Sequence, residues 1–212
     1  MAQVNGEQHI SIVDRIACLI EEEKVSPTDI LVLTFTNKAA GEIKERLVQN
    51  SGDKGRQVRV TTFYSLCTEV LRKHIDKLGY SGYFVVYTDE DREGLLKKVS
   101  GSMGAGETSI DLQAIMSSIE DAKAKLIDAG SYSRSASSAS ENRLASVYAA
   151  YQDEMKRNNA LDFNDVEMLI IMLFTDYPEV LQEYQDRYRN IVLEDDKVLN
   201  YAQTQMLSCI TH

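Results

Sequence analysis

Residues 29–47, DILVLTFTNKAAGEIKERL, decide the fold. The run Ile30, Leu31, Val32, Leu33 is too short for a globular helix, and Pro27 and Asp29 bound it, so it reads as a buried strand. Polar Thr34, Thr36 and Asn37 follow, interrupted by Phe35. Ala39, Ala40, Ile43 and Leu47 then fall on one helical face, with Asn37 expected as the N-cap. A strand that ends in small polar residues and feeds a helix is how α/β sheets build ligand sites at their carboxyl edge. The helix N-terminus adds open N–H groups and a partial positive charge, which suit a phosphate.

Working outward, residues 1–10 lack apolar periodicity and read as a flexible lead. Ser11 is placed to cap a helix to about Glu23, with Ile12, Ile16, Leu19 and Ile20 on one face. Downstream, residues 50–56, NSGDKGR, read as a turn-rich loop, and VRVTTF as a second strand from Val58. Phe63, Leu66, Val70 and Leu71 have the spacing of a buried helix face. The aromatics and β-branched residues from Tyr80 suggest a short extended segment. Thr88 and Asp91 form a capping-box-like start for a helix through Val99, followed by a loop over 101–106. A further helix is expected over 111–127 and another over 141–158. Between these two, the small polar run AGSYSRSASSAS, 129–140, reads as a flexible linker. Asp162 and Asp165 read as helix caps rather than a catalytic carboxylate pair, since no acid–base partner is visible nearby.

Composition sets bounds. The 212 residues can bury a sizeable core in one or two domains. No apolar stretch reaches membrane-spanning length and no signal peptide opens the chain, so a cytoplasmic protein without a membrane partner is expected. Cys18, Cys67 and Cys209 lie far apart without a CxxC, which favours three buried thiols in a reducing compartment. The histidines are equally scattered, and no metal site is expected from them. The net charge of −10 argues against indiscriminate nucleic-acid binding but leaves room for a local groove that stacks and hydrogen-bonds a single strand.

Several of these stretches carry a resemblance. LTFTNKAAGEIKERL resembles motif Ia of the superfamily 1 DNA helicases of the Rep/UvrD/PcrA type, and SIVDRIACLIEEEKVSPTDILVLTFTNKAA resembles the track leading into it. TFYSLCTEVLRKH is similar to the helicase segment TFHSLCxxxLR, with Tyr64 where His is usual. VYAAYQDEMKRNNALDFNDVEMLIIMLF resembles the region in which a helical insertion returns to the motor domain. RYRNIVLEDDKVLNYAQTQML looks like the approach to motif II, with the acidic pair in the order Glu194, Asp195.

The resemblance implies an α/β protein: an incomplete RecA-like (P-loop NTPase type) parallel-sheet domain over 11–84 and 162–212, with a helical 1B-like insertion over 85–161. It implies a parent that uses Mg-ATP to translocate along and unwind DNA in replication or repair. Thr34, Phe35, Thr36, Asn37, Thr62, Tyr64 and Ser65 would contact single-stranded DNA. Glu194 and Asp195 would be what remains of the ATPase site, with Glu194 as the Mg²⁺ ligand and Gln203 near the nucleotide. The family's GxxxxGK(S/T) phosphate loop has no counterpart, because its place reads Asn5, Gly6, Glu7, Gln8, His9. The sequence also stops before motif III and a second motor domain. By itself the chain is therefore expected to bind no Mg-ATP and to be inactive as a motor, a helicase fragment that needs the second motor domain or a partner protein. The alternative expectation is a degenerate helicase domain that serves as a non-catalytic protein-interaction scaffold. Without the phosphate-loop strand the sheet is expected to expose an unpaired edge, through which copies could self-associate.

Overall fold

The computed structural model describes residues 11–102, 111–194 and 199–211. The lead over 1–10, most of the loop expected over 101–106, and Asp195 lie outside the described residues. In chain order the elements begin with α1 (Ile12–Glu21), β1 (Ile30–Thr34), α2 (Asn37–Gln57), β2 (Arg59–Thr62), α3 (Phe63–His74) and β3 (Val85–Val86). They continue with α4 (Asp89–Ser102), α5 (Leu112–Ala124), α6 (Ala129–Ser135), α7 (Ala139–Arg157) and β4 (Ala160–Leu161). The last are α8 (Phe163–Asp176), α9 (Pro178–Arg187), β5 (Asn190–Leu193) and α10 (Tyr201–Thr211). The chain forms two compact units, one from residues 11–66 and 182–194, the other from 67–102, 111–181 and 199–210.

The first unit is built on a parallel sheet in the order β2–β1–β5. All five residues of β1 are buried, as a central parallel strand covered on both faces requires. Ile30 and Val32 pack with Val13, Ile16 and Ile20 of α1, Ile43 and Leu47 of α2, and Val58 and Val192 in one apolar cluster. Each such side chain, fully buried, contributes about 1.5–3 kcal/mol by leaving water. Ser11 caps α1, accepting the Asp14 N–H.

Two expectations in this unit are corrected. The cap of α2 is Thr36, not Asn37: Thr36 is extended and its Oγ1 accepts the Ala39 N–H at 3.1 Å, while Asn37 is already the first helical residue. The stretch 50–56 is no free loop either; helical turns continue on both sides of a break at Gly52 (φ 55°, ψ −126°), a backbone region open only to glycine. After the break the chain folds closely back, so that a Cβ on Gly55 would lie 2.1 Å from the Leu47 carbonyl oxygen. Lys44 Nζ fastens the end of this segment by donating to the carbonyls of Arg56 (2.7 Å) and Val58 (2.6 Å).

The second unit is mainly helical. Leu95, Leu96 and Val99 of α4, Met116, Ile119 and Ala122 of α5, and Val147, Tyr148, Tyr151 and Met155 of α7 share one core. The short parallel pair β3–β4 joins Val85 to Ala160 and Val86 to Leu161. The linker expected over 129–140 is instead a helix, a three-residue link and the start of another helix. Asp128 caps α6 through the Ser131 N–H, and Ser138 with Glu141 forms a capping box on α7. Ser131 and Ser140 are therefore first-turn residues and Ser138 a cap, and Tyr132 anchors the segment edge-on against Tyr148 with ring centroids 6.1 Å apart. Thr88 and Asp91 close the start of α4 as their spacing implied, and Asp162 and Asp165 form a reciprocal capping box on α8. Of the cysteines Cys67 is buried, but Cys18 and Cys209 are only partly so, which corrects the expectation of three buried thiols; all three are free.

Candidate nucleic-acid interface

Strand register assembles the site. In the β1–β2 ladder Thr34 lies opposite Thr62. In the β1–β5 ladder Leu33 lies opposite Leu193, and the next residue, Glu194, donates its N–H to the Leu33 carbonyl at 3.0 Å. Three parallel strands thus leave the sheet side by side at its carboxyl edge, with strand spacings of about 4.8 Å. The residues expected to contact a ligand, Thr34, Phe35, Thr36 and Asn37 in one exit and Thr62, Tyr64 and Ser65 in the next, are therefore adjacent in space although 25 or more residues separate the two groups in sequence.

Local hydrogen bonds fix the shape of each exit. The Thr34 hydroxyl donates to the Thr36 carbonyl at 3.1 Å, which folds the chain sharply at the strand end. Thr62 does the same for α3: its Oγ1 accepts the Ser65 N–H at 3.1 Å and its hydroxyl donates to Ser65 Oγ at 2.7 Å. Thr34 and Thr62 are buried, Phe35, Tyr64 and Ser65 are half-buried, and Thr36 and Asn37 are exposed. The inner threonines therefore shape the edge, whereas the outer residues are the ones a ligand can reach. Two helix N-termini, of α2 and α3, open at this edge, each with first-turn N–H groups that have no intrahelical acceptor. Such an edge can hold phosphate oxygens by neutral donors and bases by an aromatic face, without a cluster of cations.

Glu194 ends β5 as an exposed carboxylate on the other flank of β1. Gln203 belongs to the helical unit. There its side chain donates to Glu167 at 2.7 Å and accepts the Asn200 N–H at 3.2 Å, so the amide is engaged in holding the start of α10. Among the described residues no group of three or more His, Cys, Asp or Glu is placed to hold a metal ion. The sequence contains no GxxxxGK(S/T) phosphate loop.

Sequence reading missed a polar cluster in the helical unit. Lys123 is fully buried between two carboxylates, 2.6 Å from Asp162 Oδ2 and 2.7 Å from Asp165 Oδ1. Tyr151 donates to Asp162 at 3.2 Å, Gln152 to Asp165 at 2.7 Å, and buried Arg92 reaches Glu120 at 2.7 Å. Burial opposes the charge on Asp162, but Lys123, the Asp165 N–H and Arg92 outweigh it and hold its pKa below the usual carboxylate range. Asp165 goes the other way, pushed up by burial and by its charged neighbour Asp162. A signal was present: Lys123 follows Met116 and Ile119 at seven and four residues, and Arg92 precedes Leu95, Leu96 and Val99 at helical spacing. Both cations thus sit on apolar faces.

Parallel strands carrying polar loops at their carboxyl edge define a partial RecA-like α/β domain. Comparison with known proteins agrees. The family profile described as the UvrD/REP helicase N-terminal domain matches residues 10–212. The chain is 33% identical over 196 residues to the ATP-dependent DNA helicase PcrA of Staphylococcus aureus, which covers 92% of this chain and 27% of that protein. It is 34% identical over 193 residues to PcrA of Bacillus subtilis, covering 91% of this chain and 26% of the relative. The chain belongs to the UvrD/REP helicase N-terminal domain family. It spans about a quarter of the length of these relatives. No helix among the described residues is long and apolar enough to cross a membrane.

Proposed function

We propose that the chain supplies the single-stranded DNA track of a PcrA-like, ATP-dependent DNA helicase, acting with a second motor domain or partner protein. The observation that carries this reading is the Thr34–Thr62 register, which sets two polar, aromatic-bearing exits side by side at one sheet edge. Residues 11–84 and 162–212 would be the motor-domain portion and 85–161 the helical insertion. Thr36, Asn37, Tyr64, Ser65 and half-buried Phe35 make the direct contacts, with Thr34 and Thr62 setting the turns. Glu194, followed by Asp195, is the remnant of the acidic motif beside the DNA track. The 212 residues alone bind no Mg-ATP in this reading, because phosphate cradling needs a glycine-rich loop and its lysine.

Fluorescence anisotropy of a labelled oligo(dT) tests it, with the native chain beside a Thr36→Ala/Tyr64→Ala double variant. Binding should weaken as salt rises, and the double variant should bind at least about tenfold more weakly, a base stack alone being worth ~1–3 kcal/mol. Equal binding by both proteins would move the DNA contacts elsewhere. Absence of binding at low salt would favour the scaffold reading, in which the edge serves a protein partner. Saturable Mg-ATP binding that depends on Glu194 would overturn the inactive-motor part alone.

A further inference from the structure

The opposite edge of the same sheet carries a second feature. Where β1 and β2 begin and the chain enters β5, a cavity of about 500 Å³ opens. Four cationic side chains line it, Lys44, Arg56, Arg59 and Arg187, against one carboxylate, Asp29. In a chain of net charge −10 this is a local reversal of sign. Arg56 also lies within 2.7 Å of Asp53 on its own helical turn.

The chemistry of the wall selects the ligand. The exposed guanidinium groups of Arg56 and Arg187 offer planar forks of N–H donors that match oxyanions, and several cations converging on one cavity favour a ligand that carries more than one negative charge, as an oligophosphate does. Lys44, which lines the cavity, is held in place by donating to two backbone carbonyls. Burial lowers the Lys44 pKa and the nearby Arg59 charge lowers it further, a crowding that a bound anion relieves. Tyr188 is only 3% exposed and offers no open ring face for a nucleobase. The volume falls in the range of small-ligand sites, about 300–1,000 Å³.

We propose that this cavity at the amino edge of the sheet binds an oligophosphate, recognised by its phosphate oxyanions. Phosphates of this kind come from a free oligophosphate or from a nucleic-acid backbone. The site is one strand length, roughly 15 Å, from the candidate DNA track. It stands independently of the reading of that track.

Isothermal titration of the full chain with inorganic pyrophosphate tests the proposal, with sulfate at matched ionic strength as the control. The expected result is saturable one-to-one binding of pyrophosphate, with sulfate much weaker. Arg187→Gln and Arg56→Gln should each weaken it about tenfold, the loss of one charge-assisted pairing. Both side chains are exposed, and thermal unfolding should confirm that the variants remain folded. The Thr36→Ala/Tyr64→Ala variant should bind pyrophosphate like the native chain even if it has lost oligo(dT). Displacement of pyrophosphate by oligo(dT) would assign the phosphates to a nucleic-acid backbone, and no displacement to a free oligophosphate. Pyrophosphate heats no larger than those of sulfate, unchanged binding in both arginine variants, or tighter binding of a poly-glutamate peptide would each overturn it.

Discussion

The two compact units place their polar side chains in opposite ways. In the sheet unit, Thr34, Thr36, Thr62 and Ser65 sit at strand ends, make short-range hydrogen bonds within three residues, and grade outward to solvent. In the helical unit, Lys123, Asp162, Asp165 and Arg92 are buried and bond across helices that are far apart in sequence. The local bonds shape a surface without holding the unit together. The buried cluster holds α4, α5, α7 and the start of α8 to one geometry, and none of its three fully buried members is open to a ligand. Polar residues at a strand end and polar residues in a helical core are thus different signals, and only the first points towards a binding site.

The largest expected effect lies in the buried cluster. Lys123→Met leaves Asp162 and Asp165 without their shared counter-charge, and should cost about 3–5 kcal/mol in urea unfolding. Replacing both aspartates with Asn in the same protein should recover part of that loss. A Lys123→Met protein as stable as the native one would break the contrast between the units.

Thr62→Ala provides the counterpart at the edge. It removes the bond from the Ser65 N–H to Thr62 Oγ1 and should cost only about 1 kcal/mol of stability, the usual value of a cap. Its larger effect should be on oligonucleotide anisotropy, because Tyr64 and Ser65 lose their fixed turn. If instead the stability loss matched that of Lys123→Met while oligonucleotide binding stayed native, the edge would be structural.

The smallest effect belongs to Glu141, which accepts the N–H groups of Ser137 and Ser138 in the capping box of α7. Those bonds and the two serine hydroxyls depress its pKa to about 2. A depressed folded-state pKa contributes stability above the unfolded value, about 4.3, and loses it as pH falls towards 2. The melting-temperature difference between native protein and Glu141→Gln should therefore be constant above about pH 5 and shrink below it. A difference that stays flat down to pH 2.5 would mean the carboxylate is not held by these bonds.

Much of this protein was legible because its signals are local. Ile30–Leu33 announced a buried parallel strand by an unbroken apolar run, since both faces of such a strand are covered. Ser11, Thr88 and Asp162 announced helix starts by side-chain oxygens that satisfy N–H groups within three residues. The segments 34–37 and 62–65 were picked out by their resemblance to helicase motifs, which are contiguous in sequence. The misreadings were also local in origin. Serine in 129–140 fits a linker and a helix cap equally well, and the choice rested on Tyr132 finding Tyr148. Gly52 and Gly55 look like loop glycines, yet they permit a break and a close return within a helical stretch.

By itself, then, the sequence determined strands β1 and β2, most helix starts, the two polar exits and the family resemblance, because periodicity, capping and motifs act over a few residues. Tertiary structure alone decided that Thr34 faces Thr62, that Glu194 flanks them, and that Lys44, Arg56, Arg59 and Arg187 meet around one cavity. It also decided that Lys123 lies between Asp162 and Asp165. These are contacts between residues far apart in the chain. Their register is set by how whole elements bury their apolar faces, and no short window of sequence contains it.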